Sequence, residues 1–179
     1  DLVLPMATFL KEMWIGPLEA GSSKEFVETN FPRMIVLVGS PAREKDGSVV
    51  LGQAEGGTLI RFTEVNDYSE TNRNWKQRQL ETAFHEYAHI LHQTFGMPNA
   101  FREVTPDSYT KNGWKAVTSS EALMRGMVSP YGTSNVSDDF AELFATYLSA
   151  TDEELDYYFN QQPIEYVEDV DLNKGRALL

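Results

Sequence analysis

The run FHEYAHILHQ, residues 84–93, holds all three histidines of the 179-residue chain. His85 and His89 are four residues apart, so on a helix they stand one above the other, about 6 Å apart, and both can reach one metal ion. Glu86 points to one side of the pair, where it can accept a proton from a water on the ion. Zinc lowers the pKa of such a water to about 7, which suits hydrolysis. The HExxH spacing therefore predicts a zinc-dependent hydrolase with Glu86 as general base.

His92 occupies roughly the same face of this helix. About 10.5 Å of helix rise separates it from His85, too far for both to bind one tetrahedral zinc. We expect His92 to orient a ligand or to be structural. The metzincin pattern is excluded, because its third histidine would fall at Phe95. The alternative for the whole face is a solvated polar surface that binds nothing.

A helix over residues 74–95 must position these side chains. Asn74 with Gln77 resembles a capping box at its start, and Gly96 is a stop signal at its end. An apolar stripe predicts the face that is buried against a sheet. Its members are Leu80, Phe84, Tyr87, Leu91 and Phe95.

The third zinc ligand must be a carboxylate, because the chain has no cysteine and no other histidine. Asp138, Asp139 and Glu142 cluster at the start of a second predicted helix, with Ser137 as its expected N-cap. Acids in a first helical turn also stabilise the helix dipole without any metal. The residues alone leave the choice among the three acids open.

The rest of the pattern predicts an α+β fold. Extended segments at 33–40, 48–54 and 57–65 are rich in Val, Ile and Phe and are separated by turn signals. No helical pattern lies between them, so we expect a small, mostly antiparallel sheet packed on the histidine helix. The half of the chain after that helix is mainly helical. We expect one domain over residues 1–179.

Charge and hydropathy exclude some partners. The 27 Asp and Glu residues against 15 Lys and Arg give a net charge of -12, which opposes binding to nucleic acid. No apolar run approaches the length of a transmembrane helix. The chain begins at Asp1 and not at a methionine, which is compatible with the removal of a signal segment. It ends in GRALL, which resembles the first turn of a further helix, so we expect more C-terminal sequence.

Four stretches carry a resemblance to known proteins: HEYAHILHQ, SYTKNGW, VSPYGTSN and DDFAE. Together they resemble the zinc-binding metallopeptidases described as substrate import-associated zinc metallohydrolase lipoproteins of Bacteroides-type bacteria. Tyr131-Gly132, five further residues and then Asp138-Asp139-Phe140-Ala141-Glu142 also match the register of anthrax lethal factor-like catalytic domains. Both are similar to gluzincins, which combine HExxH with a later acid on a second helix.

This resemblance implies a zincin-like fold, one catalytic zinc and site roles for further residues. Asp138 takes the third-ligand position, and Glu142 orients a histidine or is the second choice as ligand. The family usually has Glu where this chain has Asp138. Tyr131 matches a tyrosine beside the metal, whose hydroxyl could stabilise the oxyanion that forms on the substrate. Segment 57–65 would be the edge strand that pairs with an extended peptide.

Two functions remain open at this point. The first is a zinc peptidase that acts on a peptide or protein substrate. The second is a zinc-stabilised surface module with little or no turnover, associated with nutrient or glycan import. The resemblance implies a lipoprotein on the periplasmic or extracellular face of the cell envelope, with a lipid anchor upstream and an outer-membrane import complex as partner.

Overall fold

The computed structural model of the chain describes residues 2–45, 47–55 and 58–160. The chain divides into two compact units, residues 1–95 and 96–179. The histidine helix closes the first unit, and the cluster of acids belongs to the second. That the units form the single domain expected from the sequence stays a prediction.

A long helical stretch opens the first unit. Its α1 runs over Val3–Leu10, continues through π-helical Lys11–Ile15 and ends as α2 over Gly16–Gly21. A shorter helix, α3 over Lys24–Asn30, follows, and Ser23 caps it by accepting from the Phe26 amide at 3.1 Å.

Trp14 is the centre of the first unit's core. It is fully buried, as is Met6 on the same helical stretch. The centroid of its ring system lies 4.6 Å from the ring centroid of Phe31, 5.9 Å from that of Phe62 and 6.2 Å from that of Tyr87. Trp14 therefore joins the first helices, the sheet and the histidine helix in one apolar cluster.

The sheet of the first unit has three strands in the order β1-β5-β4. These strands are β1 Met34–Leu37, β4 Gly52–Glu55 and β5 Leu59–Phe62. β5 pairs antiparallel with β4 but parallel with β1. A separate antiparallel pair joins β2 Ala42–Arg43 to β3 Val49–Val50. The sheet is mixed, so the antiparallel expectation was wrong for the β1–β5 pair.

The position of β5 corrects a second expectation. Segment 57–65 was predicted to be an edge strand, whereas β5 lies in the centre of the sheet with a neighbour on each side. Its side chains account for this placement, because Ile60 and Phe62 are both fully buried. The edge strands of this sheet are β1 and β4.

The histidine helix is α4, Arg73–Phe95. Its side chains from Ala83 to Ala88 are all buried, so the helix has an enclosed middle. Of the predicted apolar stripe, Leu80, Phe84 and Tyr87 are buried as expected. The stripe fails at its end, where Leu91 is half-buried and Phe95 is 63% exposed.

Two buried hydrogen bonds fasten α4 to the segment that follows β5. Gln79 Nε2 donates to the Thr63 carbonyl at 3.0 Å, and Trp75 Nε1 donates to the Glu64 carbonyl at 3.2 Å. These bonds attach the helix to the sheet. They also satisfy two buried donors, which would be costly without partners. The predicted packing of the sheet on this helix is confirmed.

The second unit is mainly helical, as expected. Its described α-helices are α5 Asn99–Val104, α6 Ser119–Met124, α7 Val136–Ser149 and α8 Asp152–Leu155. Short 3-10 turns occur at Lys111–Ala116 and Tyr131–Thr133, and a π-helical segment at Asp156–Asn160. Capping boxes begin α6 at Thr118 and α8 at Thr151. The predicted turn at residues 175–179 lies outside the described residues.

Candidate metal centre

The N-terminus of α4 lies two residues before the predicted position. Asn72 caps the helix, since its Oδ1 accepts from the Trp75 amide at 3.1 Å. The predicted capping box at Asn74 is therefore wrong, and Asn74 lies within the helix. Both residues are asparagines at the start of one helical pattern, so the sequence alone could not separate them. The helix ends before Gly96, whose φ of 79° is the left-handed conformation that favours glycine.

His85 and His89 point at one another's ring edges. Their Nε2 atoms are 3.1 Å apart, and the two rings are nearly perpendicular, at 81°. Two nitrogens that lie 2.0–2.1 Å from one tetrahedral zinc ion are about 3.3 Å apart, so this pair has the separation that zinc requires. The two imidazoles therefore approach each other at a separation that fits zinc, and their binding of a metal ion stays a prediction.

The surroundings of the pair differ from a solvated helix face. His85 and Glu86 are each only 8% exposed, and His89 is half-buried. A buried carboxylate needs a hydrogen-bond partner or a nearby cation. The alternative of a wet polar surface is therefore wrong for His85 and Glu86.

Glu86 has a backbone partner on the edge strand β4. Its Oε2 accepts from the Ala54 amide at 2.6 Å. The strand approaches the helix so closely that a Cβ at Gly52 would lie 2.3 Å from Thr82 Cγ2 and 3.3 Å from Glu86 Cγ. Glycine at position 52 permits this approach, and the approach brings the Ala54 amide to the predicted general base.

His92 contacts the other side of the second predicted ligand. Its Nε2 lies 2.9 Å from His89 Nδ1. The three imidazoles thus form one row along α4, in which His89 touches His85 through Nε2 and His92 through Nδ1. That His92 orients a ligand or is structural stays a prediction.

Asp138 lies in the first turn of α7 and is 9% exposed. The cap of this helix is Asn135, whose Oδ1 accepts from the Ser137 amide at 2.9 Å and the Asp138 amide at 3.0 Å. The predicted cap, Ser137, is therefore wrong. The Asp138 carboxylate in turn accepts from Asn135 Nδ2 at 2.7 Å and from Ser134 Oγ. The cap loop thus holds Asp138 through its side chain as well as its backbone.

Asp139, the next residue, has a different environment. It is 4% exposed and accepts from the Tyr109 hydroxyl at 2.8 Å. Burial raises the pKa of Asp139 to about 7, with the hydrogen bond from Tyr109 opposing this and the charge of Glu142 adding to it. Burial likewise raises the pKa of Tyr109 to about 12. The pair joins α7 to the loop before the first 3-10 turn of the second unit.

Glu142 contacts the turn that carries Tyr131. Its Oε2 accepts from Ser129 Oγ, and Ser129 Oγ accepts from the Gly132 amide at 3.1 Å. Tyr131 itself is 37% exposed, and its ring lies 4.9 Å from that of Trp114 at 67°. Glu142 therefore anchors the Tyr131 turn to α7.

Several residues that contact the predicted site residues of one unit or the other were not themselves predicted from the sequence. Asn135 carried a usable signal, since asparagine three residues before an acid in a helical first turn is typical of an N-cap. The sequence holds no signal for the Ala54 amide, because the tertiary structure, and not the residue type, decides which backbone amide donates to Glu86. The loop sequences likewise held no signal for the contacts of Ser129, Ser134 and Tyr109.

The chain has relatives among known proteins. Residues 1–178 match the model of a family described as "Putative zinc-binding metallo-peptidase", and the chain belongs to that family. A crystal structure titled as a "putative zinc-binding metallo-peptidase" from Bacteroides caccae has the same fold, with a TM-score of 0.72 and 24% sequence identity. The match covers 97% of this chain but 66% of that one. No curated protein matches the chain.

The family gives the general class, that of zinc-binding metallo-peptidases. The solved structure shows the fold, which is α+β with a small mixed sheet. In the described ranges 2–45, 47–55 and 58–160, no helix combines the length and apolar character needed to cross a bilayer. The family model thus defines the class of protein, and the solved structure its fold.

Proposed function

We propose that this chain is a gluzincin-type zinc hydrolase, and specifically a peptidase. In this proposal His85, His89 and Asp138 hold one zinc ion and Glu86 is the general base. The observation that carries the proposal is the 3.1 Å separation of the two histidine Nε2 atoms beside a buried glutamate. Neither a packing role nor a solvated face accounts for that combination of residues.

Asp138 is the preferred third ligand because the resemblance puts it at the ligand position in the first turn of α7. Asp139 is bound to the Tyr109 hydroxyl, and Glu142 is bound to Ser129. Hydrogen bonds to a ligating carboxylate orient it, as Asn135 and Ser134 do for Asp138. An aspartate is shorter than the glutamate usual in gluzincins, and zinc accepts either one.

A zinc ion bound by these residues would supply Lewis acidity, which polarises a carbonyl and lowers the pKa of water to about 7. Glu86 would accept the proton of the attacking water and pass it to the leaving amine. The Ala54 amide fixes one oxygen of this carboxylate at 2.6 Å and so restricts its rotation. A base restricted in this way loses less entropy on reaching the transition state.

The edge strand β4 offers the place for an extended peptide. The Thr63 amide donates to the Leu51 carbonyl at 3.0 Å. Along an antiparallel strand, residues bonded to the neighbouring strand alternate with residues whose backbone groups face away from it, and Gly52 and Ala54 face away from β5. The Ala54 amide is bound to Glu86 Oε2, so a peptide would pair with the Gly52 backbone groups and the Ala54 carbonyl. A peptide added at this edge would lie beside Glu86, which favours a peptide as substrate.

Tyr131 is the proposed donor to the oxyanion that forms on the substrate carbonyl. Its partial exposure and its fixed turn support this role, since a useful donor must be accessible and pre-oriented. Trp114 would then hold the Tyr131 ring. The assignment itself comes from the resemblance to lethal factor-like catalytic domains.

Location and partners are proposed on the resemblance alone. A lipoprotein on the periplasmic or extracellular face, associated with an outer-membrane import complex, would meet peptides or proteins outside the cell. The charge of -12 agrees with the expected absence of nucleic-acid substrates.

The test of this function is Glu86→Gln, because glutamine keeps the shape of the side chain and removes the base. We expect zinc content near one equivalent in both parent and variant, measured by elemental analysis. Cleavage of a peptide library by the zinc-loaded parent should be lost in the variant, by at least about 100-fold. Equal cleavage by both proteins would contradict the mechanism.

A zinc-loaded parent that cleaves no peptide in the library would favour the second candidate function, a zinc-stabilised surface module. The buried and backbone-bound state of Glu86 argues against that candidate. A module without turnover gains nothing from a buried carboxylate beside two histidines, since burying a charge is costly.

A further inference from the structure

The row of three imidazoles on α4 contains one residue that the proposed function does not use. His92 lies three residues after His89, and its Nε2 is 2.9 Å from His89 Nδ1. The two ring centroids are 5.2 Å apart, and the ring planes cross at 77°. This geometry is that of a hydrogen bond between ring nitrogens, not of stacked rings.

The lone pairs of the ring nitrogens determine which nitrogen carries the proton in this contact. A histidine nitrogen that binds zinc needs its lone pair, so a His89 that bound zinc through Nε2 would carry its proton on Nδ1. That proton can be donated only to a nitrogen with a lone pair. His92 Nε2 must therefore be the acceptor, and the proton of His92 must be on its own Nδ1.

Two other roles for His92 fit the structure less well. As a zinc ligand it would have to point its Nε2 at the space between His85 and His89, whereas this atom faces the opposite side of the His89 ring. As a packing residue it would be buried, but it is only half-buried near the exposed end of the helix. Neither role accounts for its close contact with a ring nitrogen of His89.

We propose that His92 is a positioning residue that holds His89 in the ligating tautomer and ring orientation. This inference rests on the proposed zinc site. Most metal-binding histidines have their second nitrogen bonded to a carboxylate, a carbonyl or water, and here another histidine takes that place. Glutamine at position 92 could replace the acceptor through its side-chain oxygen, and leucine could not.

Zinc affinity separates these cases. We would measure it by competition with a chromophoric chelator for the parent, His92→Leu and His92→Gln, with Gln93→Leu as the matched exposed control. His92→Leu should weaken zinc binding about 10–100-fold, as is typical for residues that orient a ligand. His92→Gln should restore most of the affinity, and Gln93→Leu should match the parent. Equal affinities for His92→Leu and the parent would overturn the proposal, as would equal losses in both His92 variants.

A second readout needs no zinc. Nitrogen-15 NMR of the metal-free protein reports which nitrogen of His89 carries the proton. We expect the proton on Nδ1 in the parent and in His92→Gln, and a shift toward the other tautomer in His92→Leu. An unchanged tautomer in the leucine variant would overturn the proposal. If the parent binds no zinc, the proposed function fails, while the tautomer measurement still decides the role of His92.

Discussion

The histidine helix α4 and the acid helix α7 hold their polar groups in different ways. On α4, His85, Glu86 and His89 lie in the middle of the helix, so the helical repeat itself fixes their spacing. On α7, Asp138 lies in the first turn, and the cap residue Asn135 fixes it through backbone and side chain. A mid-helix pair depends on the helix, whereas a first-turn acid depends on the loop that precedes it.

This difference predicts how each helix responds to the loss of a ligand. His89→Ala removes one of two converging imidazoles and the contact to His92, so zinc affinity should fall by more than about 100-fold, beyond the range for orienting residues. Asp138→Ala should also weaken binding but leave the imidazole pair intact. Chelator competition measures both.

Glu142→Gln is the control for the acid helix. We expect it to keep zinc affinity, because Glu142 anchors Ser129 instead of a metal. If Glu142→Gln lost zinc strongly while Asp138→Ala bound it normally, the third ligand would be Glu142. The comparison of a mid-helix pair with a first-turn acid would then be wrong.

Glu86 provides the next prediction, because its backbone partner belongs to a strand and not to α4. Ala54→Pro removes the amide that donates to Glu86 Oε2. Since this amide faces away from β5, proline should leave the strand pairing intact. We expect kcat on a cleaved peptide to fall roughly 10–100-fold with unchanged zinc content. Ala54→Gly keeps the amide and should keep kcat; an unaltered kcat in the proline variant would remove the positioning role.

The buried pair on α7 should matter for stability. Tyr109→Phe leaves Asp139 without its hydroxyl donor at 4% exposure, so the free energy of unfolding should fall by about 1–3 kcal/mol. Urea denaturation measures this quantity. Tyr147→Phe, at a tyrosine that is 63% exposed, is the control and should change little. Equal effects of the two substitutions would show that the Tyr109 bond is not specific.

The caps give the smallest and most direct comparison of the helices. Asn72→Ala and Asn135→Ala should each lower the free energy of unfolding by about 1 kcal/mol. Only Asn135→Ala should also weaken zinc binding, because only Asn135 donates to a proposed ligand. Equal zinc affinity in the two variants would mean that the cap of α7 does not orient Asp138.

The same difference between the helices accounts for what the sequence could predict. The convergence of His85 and His89 follows from spacing within one helix, and it was predicted correctly. The cap of α7 was placed at Ser137 and not Asn135, because both residue types cap helices and only the backbone conformation decides between them. The spacing of the two histidines fits one geometry, and their contact was predicted. The start of α7 offers two residues that can cap a helix, and the wrong one was chosen.

Contacts between distant segments could not be predicted in this way. The parallel pairing of β1 with β5 brings together residues separated by another hairpin, and strand composition does not encode that neighbour. The Ala54 amide reaches Glu86 because Gly52 allows a close approach, but a glycine in a strand is equally typical of a bulge or a tight bend. The sequence thus predicted the contact between His85 and His89 but not the surroundings of Glu86.

Anomalous diffraction at the zinc edge, from crystals of the full chain grown with zinc, tests the central claim most directly. We expect one strong peak 2.0–2.1 Å from the Nε2 atoms of His85 and His89, with a carboxylate oxygen of Asp138 at about 2.0–2.2 Å. A peak at other residues, or no peak beside the two histidines, would contradict the claim that these side chains form a zinc site.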